Sequence, residues 1–590
     1  MQLPAFFVKQ HRLNTPAQTS RRRFLRQFGS STLATSAALG VAACSSLDSN
    51  DASPLLVAFA HGVASGDPLR DRIMLWTRVS PQRPDESREV KVIWQIARDP
   101  AFQQIANAGS VFAGPDSDYT VKVDATGLQP GQVYYYRFSS GTAHSPVGRS
   151  KTLPAGDVAQ VKLAVFSCAN YPAGYFNVYA DAAKQGDIDA ALHIGDYIYE
   201  YDSKGYACHN AKKLGRLSEP KNTLIVLADY RRRYAQYRSD PDLQKVHAQM
   251  PFITVWDDHE IADDTWRDGA AEHKAAHHGP FSMRKKAAIQ AYHEWLPIRP
   301  PAPEQPEKIY RSFDFGKLLS LHMLDTRVAG RDQQVFMESY EDEKGELDCG
   351  KFCDDVRAPR RQMLGRQQLG WLEQNVRQST ALWQVLGQQV LMARMEYPQA
   401  VALGEMNCSD FLQLKARAQT NPASLSADQR ACLSQPNLPC FLDSWDGYQA
   451  ERERVFDIFK RQNKNLVVLA GDTHNAWAND LLDAKGKRVG VEFATASVSS
   501  PGMEGTNPNG DHANVARIME QIIEPLYYAQ TSKRGYMVLT ANAQEVRCDW
   551  HFVNTVHQRQ FSAACERSLR TRIGQARIEE LQGENQRSLT

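Results

Sequence analysis

The chain has 590 residues, 42% hydrophobic and 23% charged, and its 69 Lys+Arg against 67 Asp+Glu give a formal charge of +2. This suits a large globular body and excludes a small module, a disordered chain, or a protein built to neutralise a long run of nucleic-acid phosphates. The ten cysteines are too dilute for a disulfide scaffold but enough for a few bridges and one special thiol.

The N-terminus reads as an address. Ser20-Arg21-Arg22-Arg23-Phe24-Leu25-Arg26 precedes an uncharged, weakly apolar run from Phe28 to Ala43, the layout of a twin-arginine export signal. The run is too short and too polar for a spanning helix, which needs about 20 apolar residues. Val41-Ala42-Ala43-Cys44 has the form of a lipobox, in which Cys44 becomes the acylated N-terminus. Residues 1–43 are therefore expected to be a signal and 44–54 a linker. The mature protein is expected to pass through the twin-arginine machinery, which carries folded proteins, to the periplasm or cell surface. It would touch the membrane only through a lipid on Cys44, and would be a monomer. In an oxidising compartment Cys349/Cys353 and Cys432/Cys440 would form local bridges, with Cys208, Cys408, Cys548 and Cys565 pairing at longer range.

From 55 to 153, short alternating runs such as "RIMLWTRV", "EVKVIWQIA", "YTVKVDATGL" and "VYYYRFSS" are separated by turn-rich segments, which predicts an antiparallel β-sandwich. From 154 to 565 the pattern becomes α/β. Apolar strands are expected at Val161–Ser167 and Ala190–Ile194, with a helix at 175–185 between them and a long helix over "LADYRRRYAQYRSDPDLQKVHAQM" before the strand "PFITVW". "LLSLHMLDTR", "ALWQVLGQQVLMA", "NLVVLAGDTHNAW" and "VGVEFATASVSS" continue the alternation expected of a sheet covered on both faces. The polar segments 327–361 and 406–443 read as cysteine-containing loops at the rim of a site, and 566–590 as a charged helix or frayed tail.

Four strand ends carry the unusual residues: Cys168 in "SCAN", Asp196 and Tyr199 in "GDYIYEY", Asp257, Asp258 and His259 in "WDDHE", and Asp472 and His474 in "GDTHNAW". An Asp after a strand-terminal Gly is by itself often a turn or cap residue, and a lone Cys is often an inert buried thiol. Four such ends in order, on the carboxyl edge of a sheet where α/β proteins bind ligands, are another matter. Buried carboxylates in such number need compensating cations. Oxygen ligands suit Ca2+, Mg2+ or Mn2+, while thiolate with phenolate favours trivalent iron. Asp196, between the others in the chain, is the candidate bridging carboxylate. Trp256, Tyr197 and Tyr201 flank the ligands, and such aromatic side chains usually fill a core.

In this order "GVASGDPLRDRIMLWTR", "GDYIYEY", "LADYRRRYAQYRSDPDLQ", "WDDHE", "LDTR", "QQVLMA", "WDGY" and "GDTHNAW" resemble the PhoD-type alkaline phosphatase/phosphodiesterase family, within the calcineurin-like and purple acid metallophosphatases. The resemblance covers about 55–550. It implies a fibronectin-like sandwich followed by a metallophosphatase α/β sandwich that hydrolyses small phosphate esters with a metal-activated water. By position, iron (Fe3+) would take Cys168, Asp196 and Tyr199 with His474 or Asp472. Calcium (Ca2+) would take Asp196, Asp258 and Asp472, with Asp257 and Asn170 as further candidates and Mn2+, Mg2+ or Zn2+ as alternative ions. His259 would protonate the leaving alkoxide, oriented by Glu260, or would itself be a ligand. Asn170, Arg231 and Arg327 are the candidate substrate contacts, the two arginines as clamps on a phosphate oxygen or as ordinary ion-pair residues. Two rival readings remain: a phospholipase D-like phosphodiesterase acting on lipid or cell-wall polymer, and a lipoprotein that binds phosphate esters without cleaving them.

Overall fold

The computed structural model describes residues 56–82, 88–505 and 510–581; the expected signal, the linker, Cys44 and the last nine residues lie outside the described residues. Val161–Phe166, Ala190–His193 and Phe252–Thr254 bury nearly every side chain, as strands covered on both faces must. They lie side by side in parallel. They form the centre of a ten-stranded sheet ordered Glu579–Glu580, Ala563–Arg572, Glu545–Val553, Arg534–Ala541, Val161–Phe166, Ala190–His193, Phe252–Thr254, Val63–Gly66, Arg72–Arg78 and Thr120–Thr126. A second, seven-stranded sheet runs Arg311–Phe315, Leu319–Met323, Trp383–Gly387, Asn465–Ala470, Arg488–Ala494, Ala476–Leu482 and Leu526–Gln530. Phe166, Leu192, Val467 and Phe493 belong to the core that the two sheets share. The helices Gly365–Gln378 and Gln449–Gln462 close a second core with Leu372, Val376, Val455 and Phe459.

The "LADYRRRY…HAQM" stretch is two helices, Leu227–Arg238 and Pro241–Gln249. Proline cannot continue the first helix, and Asp240 caps the second by accepting from the Asp242 and Leu243 N–H groups. The sandwich is present, with Ile73, Leu75, Val92, Ile96, Tyr134 and Phe138 in its core. One of its sheets is not its own, however. Val63–Gly66, Arg72–Arg78 and Thr120–Thr126 continue the large α/β sheet through the parallel pairing of Gly66 with Phe252.

Other expectations need correction. The described part of the segment from 566, residues 566–581, is neither helical nor frayed but carries strand. The strand Ala563–Arg572 buries Leu569 and Thr571 while Arg570 pairs with Glu545, so that a charged face hides the period-two pattern. The segment 406–443 is largely helical, with helices at Cys408–Thr420 and Ala427–Ser434, whereas 327–361 is mostly loop apart from the helix Cys349–Val356. All nine cysteines among the described residues are free thiols. Cys349 and Cys353 lie four apart on one helix, which holds Cβ atoms about 5–6 Å apart, against the roughly 3.5–4.5 Å that a bridge requires. No helix among the described residues is long and apolar enough to cross a membrane.

A Cβ at Gly66 would lie 2.3 Å from the Pro297 carbonyl oxygen and 2.5 Å from that of Phe252, both backbone atoms with no room to yield. Gly66→Ala is expected to cost about 1–3 kcal/mol, as overpacking does. Denaturant unfolding beside the wild type measures this, and equal stability would mean that the sandwich is not held at this contact.

Candidate metal centre

Three of the four chemically loaded strand ends belong to adjacent strands of the large sheet, and the fourth, after Asn465–Ala470, reaches the site from the smaller one. The seam between the sheets brings them together: Val498 N–H donates to the Ser167 carbonyl (2.9 Å), and a Cβ at Gly471 would sit 2.4 Å from Ser167 Oγ. Cys168, Asp196, Asp472 and His474 all adopt left-handed backbone, with φ of 62°, 54°, 62° and 63°. Such conformations cost of order 1–3 kcal/mol each, so four at one place point to a functional constraint. Gly195, with φ 118°, is required for closeness: its Cβ would fall 2.3 Å from that of Asp257.

Cys168, Asp196 and His474 present ligand atoms within 4.8 Å of one another. So do Asp196, Asp258 and His259, then Asp257, Asp258 and Asp472, and finally Asp258, Asp263 and Asp264. Asp196 joins the thiol side to the carboxylate side, and Asp258 joins the last three groups. Tyr199 donates to Asp196 Oδ2 (2.9 Å), lies 3.1 Å from His474 Nε2, and accepts from Ser500 Oγ (2.7 Å). His474 Nδ1 donates to the Pro501 carbonyl (2.9 Å), leaving Nε2 as the ligating nitrogen.

The donors fit a cation. Asp196 Oδ1, Asp257 Oδ2, Asp258 Oδ1 and Asn170 Oδ1 are buried without a hydrogen-bond partner, a costly arrangement that bound metal would relieve. Burial, with Asp257, Asp258 and Glu260 nearby, pushes the Asp196 acid well above its usual range despite the pull of His259. Burial and Asp196 do the same to the Cys168 thiol, and burial, Asp196 and Cys168 to the Tyr199 phenol. Burial and repulsion from His259 hold His474 neutral, with its pKa at about 3. The surroundings of Asp196, Cys168 and Tyr199 thus disfavour their anionic forms, which multivalent cations would stabilise.

Two carboxylates supply order. Glu260 accepts from the backbone N–H groups of Asp196 (3.1 Å), Tyr197 (2.5 Å) and Asp257 (2.7 Å), tying two ligand loops together. It does not orient His259, as the sequence suggested. That role falls to Glu200, whose Oε2 lies 2.8 Å from His259 Nδ1 and whose Oε1 accepts from the Asp263 N–H (2.8 Å). The His259 ring lies against Tyr199 with centroids 4.3 Å apart. Burial would discharge it, but Asp258, Asp196 and Glu200 outweigh burial and hold its pKa well above the usual value.

Of the two alternatives for the arginines, phosphate clamp or ion-pair residue, both side chains sit in ion pairs here. Arg231 lies away from the centre, its fork taken by Glu294 (two contacts of 2.7 Å) and the Asp116 carbonyl (2.5 Å). Arg233, two residues on, is the one that braces the site, by donating to the Tyr199 and Tyr201 carbonyls. Arg327 is at the centre but fully buried and bonded to Asp257, Asp443 and Asp472, so it presents no open fork to phosphate. Asn170 lies buried two residues beyond Cys168, its carbonyl accepting from Ser499 Oγ (2.8 Å). Trp256 and Tyr197 are core, while Tyr201 is partly exposed beside His259. Glu200, Asp263 and Asp264 stand inside or just after the quoted motifs without having been singled out, and Asp443 ends the segment 406–443, which read only as a loop at the rim of a site.

Replacing Glu260 with Ala would strand three buried N–H groups, at about 1–3 kcal/mol each. Thermal unfolding and elemental analysis should show a lower midpoint and less bound metal; an unchanged midpoint would remove the clamp from this account.

The PhoD-like phosphatase family matches residues 163–550, and its N-terminal domain family matches 44–154. Alkaline phosphatase D of Bacillus subtilis (strain 168) is 35% identical over 510 residues, covering 83% of this chain and 77% of its own length. A solved structure described as that of PhoD is similar with a TM-score of 0.73 at 33% identity, over 90% of this chain and 93% of its own.

Proposed function

The chain belongs to the PhoD-like phosphatase family and is a phosphoric ester hydrolase, and from that premise we propose that it cleaves small phosphate mono- and diesters at a mixed iron and calcium centre. Iron would be held by Cys168, Asp196, Tyr199 and His474, and calcium by Asp196, Asp257, Asp258 and Asp472. The observation that carries this is the set of interlocked ligand groups sharing Asp196 and Asp258, with unpartnered buried oxygens on both residues. Thiolate and phenolate suit a trivalent ion and carboxylates a hard divalent one. When bound, such ions polarise phosphoryl oxygens and lower the pKa of an attacking water.

The chain's own contribution is proton delivery. Glu200 fixes His259 through Nδ1, leaving Nε2–H to protonate the departing alkoxide as general acid. Tyr199 packs on one face of the imidazole, so the ring is held by stacking as well as by its hydrogen bond. Export rests on Arg21, Arg22 and the Val41–Cys44 pattern, outside the described residues; folding before twin-arginine export would let the centre load in the cytoplasm. Acylation at Cys44 and a monomeric state belong to the same proposal.

Three outcomes test it. Asp196→Asn is expected to lose metal and hydrolysis together, read by elemental analysis and by turnover of p-nitrophenyl and bis(p-nitrophenyl) phosphates; full hydrolysis without bound metal would end the reading. His259→Asn should lower kcat about 10²–10⁴-fold for alkyl esters and far less for nitrophenyl esters, whose leaving groups need no proton. Equal losses on both would remove the acid role. Glu200→Gln removes one of the charges that raise the His259 pKa. Because the acid form is needed and is lost as pH rises through that pKa, the alkaline limb of the kcat profile should move to lower pH.

A further inference from the structure

Arg327 is the one guanidinium inside the carboxylate cluster whose role neither the fold nor proton delivery has yet explained. The Asp325 carboxylate accepts from the backbone N–H groups of Arg327 (2.9 Å), Val328 (2.8 Å) and Ala329 (3.0 Å), and Thr326 Oγ1 donates to Gln389 Oε1 (2.6 Å). This turn fixes where the arginine starts. Its side chain is fully buried, with Nε donating to Asp257 Oδ1 (2.5 Å), Nη1 to Asp443 Oδ1 (2.8 Å) and Nη2 to Asp472 Oδ1 (3.2 Å). Asp443 is held in turn by Arg331, whose Nη2 also donates to the Asp443 carbonyl (2.8 Å). Asp258 Oδ1 stands 3.7 Å from Nη2, beyond hydrogen-bond reach, and is buried without a partner, as is Asp257 Oδ2.

Asp257, Asp258 and Asp472 also each offer a carboxylate oxygen within 4.8 Å of the others, close enough to share one cation. A carboxylate has two oxygens, and the arginine takes one from Asp257 and one from Asp472. The other Asp257 oxygen, Oδ2, is buried without a hydrogen-bond partner, and the second oxygen of Asp472 is left free of the arginine.

We infer that Arg327 is a positioning residue for the divalent-cation half of the centre: its planar fork selects which oxygens of Asp257 and Asp472 face the ion, and it does not bind the substrate phosphate. The inference rests on the metal-centre reading above. Lysine cannot do this work, because a single ammonium lacks the rigid divergent donors that hold separate carboxylates in fixed directions. The fork's charge also offsets part of the repulsion among these acids, so charge and direction must be separated in the test.

Calcium alone is the probe, titrated calorimetrically into wild type, Arg327→Lys and Arg327→Met after chelation and dialysis, with iron measured by elemental analysis and thermal midpoints recorded. Arg327→Lys keeps the positive charge that folding around buried carboxylates needs. In both variants the calcium Kd is expected to rise about tenfold to hundredfold, the usual effect of losing a residue that orients metal ligands, while iron content stays at the wild-type level. Wild-type calcium affinity in Arg327→Lys overturns the inference, since charge alone would then suffice. Unchanged calcium affinity with weaker inhibition by inorganic phosphate overturns it too, in favour of a phosphate clamp. Wild-type protein that takes up neither iron nor calcium overturns the metal-centre reading and this inference together, and is distinguished by appearing before any substitution is made.

Discussion

Repulsion among buried carboxylates is the constraint on which the site depends. Asp196, Asp257, Asp258, Asp472, Asp443 and Glu260 crowd one region of the seam between two sheets, with Cys168 beside them. Asp443 and Asp472 are half-buried and the others buried, so water screens them poorly, and burial and mutual repulsion drive most of these acids toward their neutral forms. Asp258 is the exception: burial is outweighed by Arg327, His259 and the Asp264 N–H, which together hold its pKa at about 2. The chain therefore supplies part of the positive charge and leaves buried oxygens unpartnered for the rest.

Holding like charges together requires stiffness, and several features provide it at some energetic cost. Four ligand residues sit in left-handed backbone. Gly195 allows two ligand loops to approach more closely than any side chain would permit, and Glu260 ties those loops by their N–H groups. The sandwich contributes indirectly. Its residue Asp67 bonds Arg311 (2.6 Å) and the Arg299 N–H (2.8 Å), while Trp76 Nε1 donates to the Glu294 carbonyl (2.8 Å) and Lys122 Nζ to that of His293 (2.6 Å). The last two contacts brace the helix Phe281–Trp295, whose Tyr292 packs against Trp256 beside the candidate ligands. The N-terminal unit is thus part of the scaffold of the site rather than a detached spacer.

The carboxylate cluster and the proton donor meet at Asp258. Arg327 and Arg331 face Asp443 on one flank, and Glu200, His259 and Tyr199 form the other. Asp258 belongs to both, since it shares a ligand group with His259 and another with Asp257 and Asp472. A proton held on His259 is therefore electrostatically tied to the same carboxylate that helps form the cation gap.

Much of this was readable from residue order. Apolar runs ending in "SCAN", "GDYIY", "WDDHE" and "GDTH" specify buried strands with ligands at their carboxyl ends, because burial on both faces requires unbroken apolar runs and the chain can turn polar only where the strand stops. What the sequence could not decide was which side chains meet across the seam. Glu200 rather than Glu260 reaches His259, Arg233 rather than Arg231 braces the site, and Asp443 arrives from a segment that read only as a rim loop, because such pairings depend on the packing of distant elements. The strand at Ala563–Arg572 was hidden for a related reason: arginines on its outer face pair with glutamates of neighbouring strands, and only the assembled sheet reveals them as partners. Local order determined the kinds of ligand and where each strand delivers them. Tertiary packing decided which oxygen, and which charge, each of them faces.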